Sequence, residues 1–131
     1  MLSARAKPPG IRPVALAATL AEVMPANTIY FDETTVHGGI NKRHVANKGP
    51  QSFISLRSGL GQGIGLSLGV KLARRNQPVV TLIGDGAFLY NPAVQCFGFA
   101  RDENLPIMVV VYNNNGYRAM RDNQSSYYPE G

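Results

Sequence analysis

The feature that most constrains the fold is a repeated alternation of short apolar runs with longer helical segments. Residues 78–83 (Pro-Val-Val-Thr-Leu-Ile) are almost entirely apolar, which is typical of a strand that is buried on both faces. Similar runs occur at residues 28–32, 53–56 and 107–112, and segments with helical spacing lie between them. This alternation predicts an α/β fold with a parallel sheet, helices on both faces and right-handed crossovers.

Proline and glycine residues set the limits of the predicted helices. The predicted helices are residues 14–24, 62–75 and 91–101. Pro25 closes the first of them, and Pro92 suits the first turn of the third because a residue there needs no N–H donor. Residues 33–50 are polar and contain glycines, which favours a loop with a short helix.

The length and composition favour one globular domain. A chain of 131 residues, of which 44% are apolar and 16% charged, can bury a core, so we predict one domain over residues 1–131 with a proline-rich lead-in at residues 1–13. The longest apolar run, residues 105–112, is far shorter than the roughly 20 residues of a membrane-spanning helix. The start of the chain shows no secretory signal, and we expect a cytoplasmic location without membrane association.

The net charge of +5 is spread along the chain. A nucleic-acid site would need basic residues on one face with aromatic residues between them. The basic residues are instead dispersed, among them Lys42, Arg43, Arg57, Arg74, Arg75, Arg118 and Arg121. We expect a solvated basic surface and no nucleic-acid partner, with a small anionic ligand as the alternative. The single cysteine, Cys96, excludes a disulfide within the chain, and core packing is its expected role.

A polar or glycine-rich cluster follows each of the four predicted strands. The clusters are Asp32-Glu33-Thr34-Thr35, Ser58-Gly59-Leu60-Gly61, Gly84-Asp85-Gly86 and Asn113-Asn114-Asn115-Gly116. In parallel sheets, ligands bind outside the carboxyl ends of the strands, at the point where the strand order reverses. We therefore expect these clusters to meet at one edge of the sheet.

Two of these clusters have the chemistry of a shared cation site. Each alone is also typical of a plain turn, because glycine and asparagine tolerate left-handed conformations. Magnesium prefers octahedral oxygen coordination from one or two carboxylates, neutral oxygens, water and phosphates. Asp85, one asparagine amide and one backbone carbonyl would supply three such oxygens, and a diphosphate would complete the shell.

The spacing of these clusters resembles the signature of thiamine-diphosphate enzymes. In that signature Gly84-Asp85-Gly86 is followed, after residues 87–112, by Asn113-Asn114. The resemblance extends over about residues 12–128 and is strongest to the group that contains acetolactate synthase, benzoylformate decarboxylase and pyruvate decarboxylase. It implies a thiamine-diphosphate-binding fold, thiamine diphosphate and Mg²⁺ as cofactors, and a decarboxylase or carboligase that acts on a small 2-oxo acid.

The resemblance also assigns residues to the metal and to the rings of the cofactor. It implies that the side chains of Asp85 and Asn114 and the carbonyl of Gly116 hold Mg²⁺. Leu60 matches the bulky apolar residue that lies between the two rings of the cofactor. The carbonyl of Ser58 would lie near the pyrimidine amino group.

A second set of residues is implied for the diphosphate. Gly86 and Ala87 would present backbone groups to it, and Thr35 and Tyr117 would lie nearby. At Ala87 the family usually has a serine, so one hydroxyl contact to phosphate is expected to be missing here.

The resemblance implies that the catalytic residues lie outside this chain. In the family a glutamate on a separate pyrimidine-binding domain activates the cofactor, and no segment here is similar to that domain. We therefore expect a partner domain, on another chain or in a missing part of the gene product, within a homo- or hetero-oligomer. The final strand and helix of the diphosphate-binding domain also have no counterpart before residue 131, so the domain is expected to be truncated and inactive alone. A non-catalytic fragment or assembly subunit is the alternative, and flavin binding is left open.

An NAD-dependent dehydrogenase is a further alternative. Residues 59–65 (Gly-Leu-Gly-Gln-Gly-Ile-Gly) follow a predicted strand and precede a helix, as in a dinucleotide-binding fold. The dinucleotide motif needs a third glycine at position 64 or 66, where this chain has Ile64 and Leu66, so the match fails in detail.

Two smaller expectations concern the glycines and the histidines. Gly61, Gly65 and Gly69 are four residues apart, which predicts one helix face that packs closely on the sheet or on a partner subunit. His37 and His44 have no nucleophile or second histidine at useful spacing, and we expect them on a surface loop.

Overall fold

The computed structural model describes residues 10–46, 49–55 and 59–129 as four strands and six helices. The strands are β1 (Ile29–Glu33), β2 (Phe53–Ser55), β3 (Val79–Gly84) and β4 (Met108–Tyr112). The helices are α1 (Pro13–Val23), α2 (Gly38–Val45), α3 (Gly63–Ala73), α4 (Asp85–Tyr90), α5 (Ala93–Asp102) and α6 (Arg118–Tyr127).

The strands form one parallel sheet in the order β2-β1-β3-β4. The chain passes from β1 outward to β2, and it then returns across β1 to form β3 on the other side. The strand order therefore reverses between β1 and β3, and their carboxyl ends lie side by side, with Glu33 paired to Ile83. This is the position at which parallel α/β sheets bind ligands.

The core lies on both faces of the sheet, because successive strand residues point to opposite sides. On one face, Val80 and Leu82 of β3 pack with residues of α1, α2, β1 and β4. On the other face, Ile83 packs with Ile64 and Leu68 of α3 and with α4 and α5. The predicted α/β fold with helices on both faces is thus confirmed. Cys96 is buried in the second cluster, as expected.

Strand and helix limits agree with the sequence predictions to within about two residues, but two helices were not expected. Residues 84–86 were predicted to be a loop, whereas Gly84 ends β3 and Asp85 begins α4. The two glycines suggested a turn, and the strand in fact passes directly into a short helix. The helix α6 was also missed, because only three of its ten residues, Ala119, Met120 and Tyr127, are apolar. The end of the second predicted strand, Leu56, lies outside the described residues.

The expectation for the α3 glycines is partly wrong. Gly61 lies before the helix with φ of +90°, and it does not share a helix face with the others. A Cβ on Gly65 or Gly69 would meet no atom within 4 Å, so neither makes a close approach to the sheet. Contact of these exposed glycines with a partner subunit stays a prediction.

No helix in the described ranges is both long and apolar enough to span a membrane.

Candidate functional site

A surface pocket lies at the carboxyl ends of β1, β3 and β4, where the strand order reverses. Eight of the nine residues that the sequence assigned to the cofactor line it: Thr35, Leu60, Asp85, Gly86, Ala87, Asn114, Gly116 and Tyr117. The ninth, Ser58, lies outside the described residues. The pocket thus joins segments that are far apart in sequence.

The two predicted cation-binding clusters are in direct contact. The backbone N–H of Gly116 donates a hydrogen bond to Oδ2 of Asp85, with 3.0 Å between nitrogen and oxygen. Asp85 is half-buried at the start of α4, and its carboxylate therefore faces the loop after β4. The carbonyl of Gly116 accepts the N–H of Arg118 at 3.0 Å. A carbonyl oxygen has two lone pairs, so this bond leaves one available to a cation.

The loop after β4 is shaped by its own asparagines. Oδ1 of Asn113 accepts the backbone N–H of Asn115 at 2.8 Å, and Asn115 has a left-handed φ of +60°. This side-chain turn is the conformation that asparagine favours. It places Asn114 and Gly116 in the lining of the pocket.

Gly86 faces the ring of Tyr117 across the pocket. A Cβ at position 86 would lie 2.9 Å from Cε1 of Tyr117, closer than real contacts of this kind. The absence of a side chain at Gly86 therefore lets the loop after β4 close onto the start of α4. This contact gives the glycine after Asp85 a structural reason that the sequence motif alone did not supply.

The turn that contains Leu60 is fixed by a buried glutamate that the sequence analysis did not assign. Glu33, at the end of β1, accepts hydrogen bonds from the backbone N–H groups of Gly61, Gln62 and Gly63 at 2.6, 3.0 and 2.9 Å. Nδ2 of Asn91 donates a fourth hydrogen bond to it at 3.0 Å. No local spacing could reveal these contacts, because they join residues 28 to 58 positions apart.

A second buried network joins the end of β1 to the end of β4. The hydroxyl of Thr34 and Nδ2 of Asn41 donate to Oδ1 of Asp32 at 2.7 and 2.9 Å. The hydroxyl of Tyr112 donates to Oδ1 of Asn41 at 2.8 Å. Burial raises the pKa of Asp32, and these hydrogen bonds oppose that rise. The network holds the loops after β1 and β4 at a fixed separation.

His37 lies beside this network and lines the pocket. Its ring centroid is 5.4 Å from that of Tyr112, and its side chain is half-buried in the turn before α2. Burial and the nearby charge of Arg118 lower the pKa of His37, whereas the Asp32 carboxylate raises it to a smaller degree. His37 thus lies in a surface turn, as expected, although its ring packs on the end of β4, but the loop position is wrong for His44. His44 instead lies in the last turn of α2.

The sequence predicted Arg118 only as part of a dispersed positive charge, but this residue also lines the pocket. It lies at the start of α6, and its exposed side chain forms an ion pair with Asp122 at 3.4 Å. The pocket thus combines one carboxylate, amide and carbonyl oxygens and one positive charge. Among the described residues, no group of three or more His, Cys, Asp or Glu side chains could hold a metal, so a cation here would also need neutral oxygens or ligand phosphates.

Comparison with protein families gives a match over residues 33–130 to the model described as "Thiamine pyrophosphate enzyme, C-terminal TPP binding domain". The acetolactate synthase isozyme 2 large subunit of Escherichia coli is 32% identical over 118 residues, which cover 88% of this chain and 21% of that protein. The human 2-hydroxyacyl-CoA lyase 2 is 31% identical over 109 residues, 82% of this chain and 17% of that protein.

Solved structures show the same architecture. The thiamine diphosphate-dependent 4-hydroxybenzoylformate decarboxylase of Rhodococcus jostii RHA1 superposes with a TM-score of 0.84 at 25% identity, over 98% of this chain and 24% of that one. The benzoylformate decarboxylase of Polynucleobacter necessarius gives a TM-score of 0.77 at 27% identity, over 96% and 24%. The chain spans about a fifth of the length of the curated relatives it matches.

Proposed function

We infer that this chain, which belongs to the thiamine pyrophosphate enzyme family as its C-terminal TPP-binding domain, holds the diphosphate of the cofactor and a magnesium ion for an enzyme that acts on 2-oxo acids. The observation that supports this most directly is the contact between the Asp85 carboxylate and the Gly116 N–H. It joins the start of α4 to the loop after β4, which supports a cation shared between these two segments.

The residues present fit a magnesium diphosphate. The side chains of Asp85 and Asn114 and the carbonyl of Gly116 offer three oxygens, which suits a hard cation that also binds phosphate oxygens. Arg118 adds positive charge at the pocket edge, which favours an anionic ligand. Gly86, Ala87, Thr35 and Tyr117 line the remaining walls near Asp85. We propose that these four residues contact the diphosphate.

The cofactor supplies the electron sink that decarboxylation of a 2-oxo acid requires. The part of this chain in that reaction is to bind and orient: Asp85, Asn114 and Gly116 hold the charged end, and Leu60 contacts the rings. Because the similar proteins include a synthase, a lyase and decarboxylases, the proposal covers both decarboxylation and carboligation of a small 2-oxo acid.

The pyrimidine-binding half of the site is proposed to come from a partner domain. Asp85 is the only acid among the described residues that line the pocket, so an activating glutamate would have to come from elsewhere. Large apolar side chains also remain exposed on α4, α5 and α6, including Leu89 at 73%, Val94 at 82% and Tyr127 at 75%. Exposed apolar groups of this kind favour association with another domain or subunit.

The dinucleotide alternative has a structural argument against it. In dinucleotide-binding folds the pyrophosphate binds the free N–H groups at the start of the helix that follows the glycine-rich turn. Here the side chain of Glu33 accepts three of those N–H groups, from Gly61 to Gly63. A pyrophosphate would have to displace a buried carboxylate to bind there.

Thermal unfolding with ligands tests the proposal. We expect thiamine diphosphate with Mg²⁺ to raise the melting temperature of the chain, because a ligand that binds only the folded state stabilises it. The increase should require Mg²⁺ and should be absent with NAD. Asp85→Ala should abolish it, whereas Cys96→Ser, at a core residue that does not line the pocket, should retain it. An equal increase in the Asp85 variant and the parent chain would refute the assignment.

A further inference from the structure

The turn at residues 59–63 depends on Glu33 for its conformation. Gly59 and Gly61 have φ of +78° and +90°, a region that leaves the backbone few intrinsic constraints when glycine occupies it. Within this turn, Leu60 is 37% exposed, so the side chain itself is only partly held by packing. The hydrogen bonds of the next three residues to Glu33 are therefore the main fixed points of the turn.

The position of Glu33 is itself well determined. The residue is 3% exposed and pairs with Ile83 at the end of the central strands. Within the described part of the chain, the four hydrogen-bonding neighbours of its carboxylate are all N–H donors: three from the backbone and one from Asn91. A carboxylate has two acceptor oxygens and no donor, so it can accept hydrogen bonds from all four donors. An amide would place its own N–H₂ group against some of these donors.

Asn91 extends the anchor to the helices beside the pocket. Its Oδ1 accepts the N–H of Ile64 at 3.0 Å, and its Nδ2 also donates to the carbonyl of Ala87 at 2.9 Å. Ala87 belongs to α4, which begins with Asp85. One buried cluster thus connects the turn of Leu60 to the helix that carries the proposed metal ligand.

The space around the turn permits little adjustment. A Cβ on Gly63 would lie 2.6 Å from Oε2 of Glu33, and a Cβ on Gly61 would overlap the backbone carbonyl of Tyr90. The turn is therefore enclosed by Glu33 on one side and by the end of α4 on the other. A change in the acceptor at position 33 cannot be absorbed by a small shift of the turn.

We propose that Glu33 is a positioning residue that sets the place of Leu60 in the pocket, and through it the orientation of the cofactor rings relative to the diphosphate. The inference rests on the proposed function for its second half. Its first half, the anchoring of the turn, concerns this chain without any ligand.

Amide hydrogen exchange tests the anchoring. Glu33→Gln keeps the size of the side chain but loses the second acceptor oxygen. We expect the amides of residues 61–63 to exchange about tenfold faster or more, because hydrogen bonds to a charged group are the stronger kind. Val80→Ala, a core truncation on the opposite face of the sheet, is the matched control for general destabilisation. Acceleration in Glu33→Gln that is no greater at residues 61–63 than in β3 would overturn the anchoring.

The affinities for thiamine diphosphate and inorganic pyrophosphate distinguish a positioning role of Glu33 from loss of the whole site. With Mg²⁺ present, we expect Glu33→Gln to weaken thiamine diphosphate about tenfold and inorganic pyrophosphate much less, since only the former has rings for Leu60 to contact. Leu60→Ala should show the same pattern, and Asp85→Ala should weaken both ligands. Equal weakening of both ligands by Glu33→Gln would overturn the positioning role.

The parent chain distinguishes this inference from the proposed function. If the parent binds neither ligand, the proposed function and the cofactor half of the inference both fail, and hydrogen exchange still decides the anchoring. If the parent chain binds both ligands and Glu33→Gln binds each of them with the same affinity as the parent, only the inference fails.

Discussion

The side chain of Asp85 links the start of α4 to the loop after β4, and it also lines the pocket. Its Oδ2 atom fixes the N–H of Gly116, and the same carboxylate is the acid of the pocket among the described lining residues. Gly86 beside it leaves room for the ring of Tyr117. Two contacts with the loop after β4 therefore explain Asp85 and Gly86 of the Gly-Asp-Gly motif, in addition to the proposed ligand chemistry.

His37 gives a prediction about pH. Its pKa in the folded chain is lowered from the ordinary value of 6.5, mainly by burial and also by Arg118, although Asp32 opposes the shift. Below pH 6.5 the unfolded chain therefore binds the proton more readily than the folded chain does, and the free energy of unfolding falls as the pH drops. His37→Gln should lose less stability than the parent between about pH 7 and pH 5.5.

Chemical denaturation of both proteins at each pH measures this difference. Proton NMR of the parent gives the titration of the His37 ring directly, and the His37→Gln spectrum identifies its signal. A titration midpoint of the His37 ring above pH 6.5 in the folded chain would contradict the prediction, because the effect of Asp32 would then outweigh those of burial and Arg118.

At the scale of elements, the turn before α3 and the helix itself should respond oppositely to alanine. At Gly61 the φ of +90° and the carbonyl of Tyr90 both oppose a side chain, so Gly61→Ala should lower the free energy of unfolding by about 1–3 kcal/mol. Gly65 is exposed within α3 and would meet no atom, so Gly65→Ala should raise the free energy of unfolding by about 0.5–1 kcal/mol.

Urea unfolding of the two variants beside the parent gives both values. The pair is matched, since the same methyl group is added four residues apart. Destabilisation by Gly65→Ala would indicate that the exposed face of α3 has a contact in solution, such as with a second copy of the chain. Contact with a partner subunit is what the glycine spacing predicted.

The elements differ in how far the sequence predicts them. The strands β3 and β4 were predicted to within about one residue, because apolar runs of this length have few alternatives. The helix α4 was not predicted, since Gly84, Asp85 and Gly86 favour a turn locally, and contacts such as the hydrogen bond from Asn91 to the carbonyl of Ala87 involve residues outside the motif. The residues assigned to the cofactor came from the resemblance to a known family, whereas the positions of Glu33 and His37 depend on contacts that local sequence does not encode.

At the scale of the molecule, the strand order explains why the pocket lies where it does. The chain leaves β1 toward β2 and leaves β3 toward β4, so the segments that follow β1 and β3 diverge and leave a space between them. The buried network from Asp32 through Asn41 to Tyr112 then fixes the loop after β4 against the loop after β1. The loops after β1 and β4 and the start of α4, which are far apart in sequence, therefore meet around one pocket.

The same geometry leads to the expectation that the chain alone has no turnover. The pocket walls formed by Leu60, Tyr117 and Met120 are 37%, 50% and 58% exposed, so a cofactor held by this chain would remain open to water on one side. Water access weakens electrostatic stabilisation of a reacting group, and no glutamate lines the pocket in the described part of the chain. We expect no sustained release of carbon dioxide from pyruvate with the chain, thiamine diphosphate and Mg²⁺. Turnover should appear only when a chain of the pyrimidine-binding type is added, and Asp85→Ala should remove it. Sustained release by the chain alone, lost in the Asp85 variant, would show that the partner domain is unnecessary.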